Sequence, residues 1–596
     1  MAAAHAVAAG CQAEVRAGEL ELRVPEQLVS VNGAPATASV RAVLVRPGET
    51  DIEVAAAWTL SSGRGATLEA DGRLEAPPRA QDLEIEARFE SDEGELIATA
   101  TMPVMVRRDV LDGPGLNGIV GRFAEADEVD GSRAFLTSTF SGTRVPANVR
   151  PLALRWEGGQ VGDRYRLRVT TPRVQVDHYL WQADEGTATE VSLDEESWSR
   201  LIEDARGATI ETRVDRLTDA GLVIGTFATI EVATGALEGE LFAWAVQEEP
   251  AQSSLVRIPF GAREVAPLPE LGAAECTGCH AATSDGRSLL VTRDLTETLR
   301  VDLETGRVDP QFATPRPLDA AAFLGDGSVV ASVRAFSGSL PPAPSQLVWL
   351  EPDGAVRAAA GLPTEPSASP ATGGGSLFYI EGGSDHPAGT DAPTRLIQVA
   401  VGDGFAELGA PEVLLDGAAL TGSPEGGSTL SRPAVTPDGD LLVVAHGTNS
   451  RLVPEAGIAL YALRPGGLAV RLDRGMPPDA ETRAAWPTLA LDSEGLPWVF
   501  YYAEEPERPR RLFGSALALD ALDAGTDPSS PPFEVPSPGT AGQMAPAWVT
   551  RSRLATGDRC RADAACASDR CIGSDDIGSD DIGSDDIGSD DVWQCE

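Results

Sequence analysis

The stretch Thr436-Pro437-Asp438-Gly439-Asp440-Leu441-Leu442-Val443-Val444 decides the fold. A Pro-Asp-Gly corner makes a tight turn, and the apolar run behind it is a strand. The same unit recurs along the chain. Phe323-Leu324-Gly325-Asp326-Gly327-Ser328-Val329-Val330 is one copy, followed by Leu347-Val348-Trp349-Leu350 and Asp353-Gly354. Others centre on Asp285-Gly286, on Gly373-Gly374-Gly375 before Leu377-Phe378-Tyr379-Ile380, and on Ser493-Glu494-Gly495 before Trp498-Val499-Phe500. Spacings of about 41 to 64 residues suit four-stranded propeller blades with variable loops. Half a blade is left at each end. Leu241-Phe242-Ala243-Trp244 and Leu255-Val256-Arg257-Ile258 match later strands of a blade, whereas Gln543-Met544-Ala545-Pro546-Ala547-Trp548-Val549 matches only a first strand. Joining them closes a ring of six blades and hides the sheet edges that a linear array would expose.

Outward from the repeat, the N-terminal part is also strand-rich. Leu83, Ile85, Ala87 and Phe89 alternate with Glu84, Glu86, Arg88 and Glu90, the pattern of a half-buried strand. Pro151-Leu152-Ala153-Leu154-Arg155-Trp156 and Tyr165-Arg166-Leu167-Arg168-Val169 read as strands of a second sandwich. One helix is expected over 194–206, with Ser192 and Glu195 as a capping box, Trp198, Leu201 and Ile202 on one face, and Gly207 as its stop. The expected architecture is therefore all-β. A leader and linker over 1–19 precede one or two β-sandwiches over 20–108 and 109–236. A six-bladed propeller over 237–553 and a cysteine-rich tail over 554–596 complete the chain.

The net charge is -44, and all 47 basic residues are arginine. So acidic a chain without a basic patch argues against nucleic acid as a partner. The seven cysteines are Cys11, Cys276, Cys279, Cys560, Cys566, Cys571 and Cys595. Four of them crowd into the tail and read as two disulfides formed in an oxidising compartment. The four copies of Gly-Ser-Asp-Asp-Ile/Val ahead of Cys595 read as repeat expansion in a solvated loop.

Chemistry is concentrated in Cys276-Thr277-Gly278-Cys279-His280. A c-type haem needs two thiols about one turn apart to form thioethers with its vinyl groups, and an adjacent imidazole for the iron. Cys276 and Cys279 would attach one haem, with His280 as proximal ligand. The competing readings are a Cys276–Cys279 disulfide and another metal; a zinc site would want a second ligand pair, which the sequence lacks. His280 stands five residues before Asp285, as Pro433 does before Asp438, which puts the motif on an innermost strand near the central channel. Ring closure makes Pro546 the counterpart of His280, so Met544 is the candidate distal ligand, or else it lines the channel. His446 and His386 read as surface or turn histidines, and His178 reaches the haem only if its domain folds over the channel. No nucleophile triad, phosphate loop or zinc-protease helix is present.

Four stretches carry family resemblances. The Thr436 to Gly439 turn resembles the TolB-like propellers. Trp58-Thr59-Leu60-Ser61-Ser62 with Asp71-Gly72-Arg73-Leu74 resembles bacterial immunoglobulin-like domains. Ala8-Ala9-Gly10-Cys11 looks like a lipoprotein signal-peptidase site, which implies lipidation at Cys11 and a membrane anchor. Cys279 to Gly286 is similar to an arrangement in myxobacterial envelope proteins, where a haem motif directly precedes a propeller turn. Together they imply an outer-membrane lipoprotein, periplasmic or at the cell surface, whose propeller binds an envelope or redox partner. Its haem c would transfer electrons or sense redox state or ligands. A haem-dependent oxidoreductase with substrate in the channel, and a structural or adhesive protein without haem, are the alternatives.

Overall fold

The computed structural model describes residues 18–46, 49–92, 94–138, 141–182, 189–246, 254–261, 266–268, 271, 277–283, 286–293, 297–333, 345–357, 361–382, 394–402, 407–420, 429–447, 449–450, 453–454, 459–474, 483–504, 511–535, 542–550, 559–561, 571–572 and 592–595. Strands dominate it, and the six-bladed ring is the largest element. Blade 1 has the strand order Gly542–Thr550, Gly239–Val246, Ser254–Pro259, Ala266–Pro267, so its innermost strand comes from the far end of the propeller sequence. Blade 2 comprises Thr277–Ala282, Ser288–Arg293 and Glu297–Asp302, and blade 3 begins at Leu318–Phe323. The innermost strands of blades 4, 5 and 6 are Ser367–Gly373, Leu430–Val435 and Arg483–Leu491. Each innermost strand touches the next, and that of blade 1 touches both blade 6 and blade 2. The ring is closed.

Residue choice explains why the blades form and stay in register. The second strands, such as Ser288–Arg293, Val329–Val333 and Leu442–His446, are buried at nearly every position. Sheets stack against both of their faces, which is why they read as continuous apolar runs. The corner at Thr436 is held by its own hydroxyl, which takes the N–H of Leu441 at 3.1 Å and donates to Asp438 Oδ1 at 2.5 Å. That bond, with the N–H of Asp440, holds the Asp438 carboxyl below its ordinary pKa. Blades are also clasped in sequence. Thr298 Oγ1 accepts Leu318 N–H at 3.0 Å, Ser345 O accepts Ser367 N–H at 3.0 Å, and Thr394 Oγ1 accepts Leu430 N–H at 2.6 Å. In each case the residue at the head of a third strand satisfies a buried donor at the head of the next blade.

The N-terminal part is organised differently. A strand of 19 residues, Gly94–Asp112, pairs antiparallel with Gln81–Ser91 along its first part and parallel with Val174–Trp181 along its last. It thereby joins the two sandwich regions into one ten-stranded sheet, and it runs through the expected boundary between 108 and 109. In Gln81–Ser91, Leu83, Ile85 and Ala87 are buried and Phe89 half-buried, while Glu84, Arg88 and Glu90 are exposed and Glu86 half-buried.

The helix is Glu195–Asp204, with Trp198, Leu201 and Ile202 buried. Its cap is not the expected Ser192–Glu195 box. Asp194 takes the N–H of Ser197 at 2.9 Å and its hydroxyl at 2.8 Å, while Ser192 remains in the strand Thr189–Ser192. A carboxylate one residue before the helix is both acceptor and counter-charge to the helix N-terminus, and it outcompetes a hydroxyl two residues further out.

The part of the N-terminal region after residue 134 packs on the flank of the propeller across the closure seam. Trp156, Leu167 and Trp198 share one core with Leu241, Ala243, Val256 and Ile258 of blade 1 and with Trp498, Phe500 and Phe533 of blade 6. A largely buried guanidinium fastens it. Arg155 donates to both oxygens of Glu534 at 2.8 and 3.0 Å and to Glu190 at 2.5 Å, a bidentate pairing that only arginine can make.

Candidate functional site: a ring of bulges around the channel

Every innermost strand breaks its ladder once. In blade 5, Ser431 pairs with Ala445 and Ala434 with Val443, so Arg432 and Pro433 together face the single residue Val444. In blade 4, Ser369 and Pro370 face Tyr379; in blade 6, Trp486 and Pro487 face Tyr501; in blade 1, Ala545 and Pro546 face Ala243. Blade 3 has a one-residue shift at Asp319. Blade 2 breaks between Gly278 and Ala281, so Cys279 and His280 face Val291. These are β-bulges, two residues against one, which bend the strand and re-aim side chains. The motif residues Cys279 and His280 thus hold the backbone positions of Arg432 and Pro433.

Proline recurs at the second bulge position because a bulge is where a sheet tolerates the loss of an N–H donor. His280 is the departure. The first position is strained in three consecutive blades: Ser369, Arg432 and Trp486 have φ of 50°, 50° and 54°. This is the left-handed region, disfavoured for a residue with a β-carbon by roughly 1–2 kcal/mol. Bulges of this kind usually carry glycine there.

The described side chains of the ring converge. The Arg432 guanidinium carbon lies 4.6 Å from the Trp486 ring centroid, and Nη1 donates across to the main-chain oxygen of Asp319 at 3.3 Å. Blades 3, 5 and 6 therefore meet at this level. Trp486 stands edge-on to Tyr502 at 6.0 Å. Asp319 and Ser369 are buried, whereas Arg432 and Trp486 are half-exposed. Reading by motif missed these four residues, although a short X-Pro pair recurring on the innermost strands of blades 1, 4, 5 and 6 was visible.

The backbone of Thr277 to Ala282 is described, but the side chains of Cys279 and His280, and all of Cys276, lie outside the described residues. Met544 is paired with Trp244 directly before the bulge of blade 1, on the strand that borders that of blade 2; its side chain also lies outside them. So do Cys11, Cys566 and His386, and the side chains of Cys560, Cys571 and Cys595. In the tail, backbone pairing sets Cys571 opposite Cys595 and Cys560 opposite Trp593. Among the described residues no three His, Cys, Asp or Glu side chains converge as a metal site. No described helix is long and apolar enough to cross a membrane.

Two histidines are settled. His446 is not a surface or turn residue: it ends the strand Leu442–His446, is buried, and bonds through Nε2 to Gly417 O at 3.2 Å with its ring edge-on to Tyr461. The apolar run before it continues through the histidine, which the sequence alone does not separate from a strand followed by a turn. Burial lowers its pKa, and the Gly417 bond opposes this only in part. His178 is buried within the ten-stranded sheet, with Nε2 3.5 Å from Asp112 and its pKa lowered by burial.

No family model matches the sequence, and no curated protein matches it. Solved structures similar to it include a β-propeller domain. The β-propeller domain of Cps50 (Swd1) from Myceliophthora thermophila is 13% identical, with a TM-score of 0.29 over 50% of this chain and 88% of that one. An oligogalacturonate lyase in complex with manganese is 13% identical, TM-score 0.28, over 53% and 72%. A quinoprotein alcohol dehydrogenase-like protein from Bacteroides thetaiotaomicron is 9% identical, TM-score 0.26, over 68% and 97%. These likenesses concern the fold alone. The ladders themselves define the fold as all-β with a six-bladed propeller.

Proposed function

We propose that Cys276 and Cys279 carry one covalent haem c, with His280 as proximal iron ligand, on the channel side of blade 2. The observation that carries the reading is the position of the motif. Cys279 and His280 fall in the one break of an innermost strand, flanked by intact pairs at Thr277–Arg293, Gly278–Thr292, Ala281–Leu290 and Ala282–Leu289. An unbroken strand would be a poor host, because it spans roughly 10 Å over three residues and commits its peptide groups to the ladder. A bulge bends the chain and releases Cys279 and His280 from pairing, which supports the reading. Bound haem supplies a one-electron change at iron. The chain's own part is to present His280 and two thiols at the edge of the channel. Met544, on the bordering strand, would be the candidate thioether ligand.

This reading extends to an exported protein, lipid-anchored through Cys11, whose propeller engages an envelope redox partner for electron transfer or sensing. The four tail cysteines and the small residues ahead of Cys11 support it. Its test is co-expression with a haem-attachment system, followed by intact mass and an absorption spectrum. The expected result is one added haem mass, lost in Cys276→Ala and in Cys279→Ala. Folded protein of unmodified mass, or two protons lighter from a Cys276–Cys279 disulfide, overturns it.

A further inference from the structure

We infer that the cleft where the N-terminal region meets blade 1 binds a free α-amino acid with an apolar side chain, its carboxylate held by Arg150 and its ammonium by Glu195. The cleft measures about 310 Å³, at the small end of the range of roughly 300–1,000 Å³ in which small-molecule sites fall. Three segments enclose it: the turn over 147–151, the helix Glu195–Asp204, and Gly261 just past the strand Ser254–Pro259 of blade 1. Bonds made on both sides fix its width. Asn148 O accepts the N–H of Gly261 at 2.8 Å, and the Asn148 side-chain amide makes two bonds of 2.9 Å to the main chain of Leu237. Trp198 Nε1 donates to Val149 O at 2.9 Å, tying the same turn to the helix. A site held open in this way loses little ordering entropy when a ligand enters.

The lining sets an apolar surface beside one under-used pair of charges. Val149, Trp198 and Ile202 are almost wholly buried and Pro151 is half-buried. Next to them the Arg150 side chain, 19% exposed, meets Glu195, 58% exposed, at 3.4 Å. A guanidinium has five donors. Among the described residues Arg150 uses one of them, at the long end of hydrogen-bond range, and Glu195 has no other described partner. Both groups therefore keep bonding capacity for a ligand without giving up their contact. An anion alone would bring a second carboxylate to Glu195 in a chain of net charge -44, and a cation alone would leave Arg150 unmet. A zwitterion meets both. Charges this close together match a molecule that carries ammonium and carboxylate on one carbon, whereas a peptide separates them by its length. The apolar lining then receives the side chain. The cleft's other two ionic groups bond outward: Glu203 pairs with Arg79 at 2.9 Å, and Arg206 donates to Thr234 O at 3.0 Å.

Calorimetric titration of the full-length protein with L-phenylalanine, 3-phenylpropionate, 2-phenylethylamine and L-serine tests the inference. Saturable one-to-one binding of L-phenylalanine is expected. The other three lack the ammonium, the carboxylate and the apolar side chain in turn, and each should bind about tenfold or more weakly. Arg150→Gln and Glu195→Gln should each weaken L-phenylalanine by about tenfold or more, and Arg206→Gln should bind as the parent does. Ser199 lines the cleft from an exposed helical position one turn from Glu195. Ser199→Trp therefore fills the cleft with both charges intact and should block binding, its melting temperature close to the parent's. Cys279→Ala should bind as the parent does, so failure of the haem reading leaves this result standing. Absence of saturable L-phenylalanine binding, equal affinity for 3-phenylpropionate, or unchanged affinity in folded Arg150→Gln or Ser199→Trp overturns the inference.

Discussion

Blades 2 and 5 build their innermost strands on the same ladder and put different chemistry into it. Both break after two paired residues, both set two residues against one valine, and both resume pairing before the turn. Blade 5 fills the break with Arg432-Pro433, blade 2 with Cys279-His280. Proline there is silent, since it gives up an N–H that the bulge does not use; histidine is a side chain with ring nitrogens that can bond or ligate. A repeat fold thus offers matching positions in five of its six blades, and blade 2 is the one of these five that departs from proline at the second.

Exchanging the two fillings is the strongest way to break the comparison. His280→Pro restores the pattern of blades 1, 4, 5 and 6, so unfolding free energy should stay within about 1 kcal/mol of the parent. On the proposed haem reading, the variant made in attachment-competent cells should also lose proximal ligation and show a high-spin spectrum. A cooperative unfolding midpoint that collapses instead would mean that the blade 2 bulge is unlike the others.

The clasps between blades come next. Thr394→Val keeps the shape of the side chain and removes the acceptor of the buried Leu430 N–H, which should cost roughly 1–3 kcal/mol in urea unfolding. An unchanged midpoint would show that blade 5 is positioned by its strand contacts alone.

Acid should loosen blade 5 through its buried histidine. The pKa of His446 is lowered in the folded state, so the unfolded chain takes up a proton first as pH falls. Stability is therefore complete above the ordinary histidine pKa of about 6.5 and declines below it, toward the folded value. Protonation would place a second N–H on Nδ1, which has no described partner. His446→Gln should flatten the loss of stability between about pH 7 and pH 5, His178 contributing what remains; an identical slope would assign the effect elsewhere.

The smallest effect concerns strain. Ser369→Gly removes little buried surface and relieves a left-handed serine, so it should stabilise the protein by roughly 0.5–1 kcal/mol. A loss of stability would mean that the Ser369 side chain contributes more than its backbone costs.

Much of the ring was legible in the sequence because its signals are local. Each Asp-Gly, Gly-Gly or Glu-Gly corner needs the positive φ seen at Gly327, Gly375, Gly439 and Gly495, and the strand behind each corner is apolar. The pairing of Gly542–Thr550 with Gly239–Val246 followed from counting half-blades. What stayed hidden depends on distant partners. Nothing in Gly94 to Asp112 announces a strand that changes its neighbour halfway, and Pro103 within it argues for a break. The convergence of Arg432 on Trp486 and Asp319 requires the ring to exist before the residues meet. Asp194 displaced Ser192 as helix cap because two nearby polar residues offered similar bonds, a competition that spacing alone does not resolve.

The closing pair of strands has a consequence for biogenesis. During synthesis Gly239–Val246 emerges before blades 2 to 6 and Gly542–Thr550 after them, so blade 1 must wait with a bare hydrogen-bonding edge while five blades are made. Such an edge is a template for the wrong partner, including another nascent copy. Assembly is therefore gated by the C-terminal end of the propeller sequence, and a chain interrupted ahead of that last strand would leave an open arc in place of a ring.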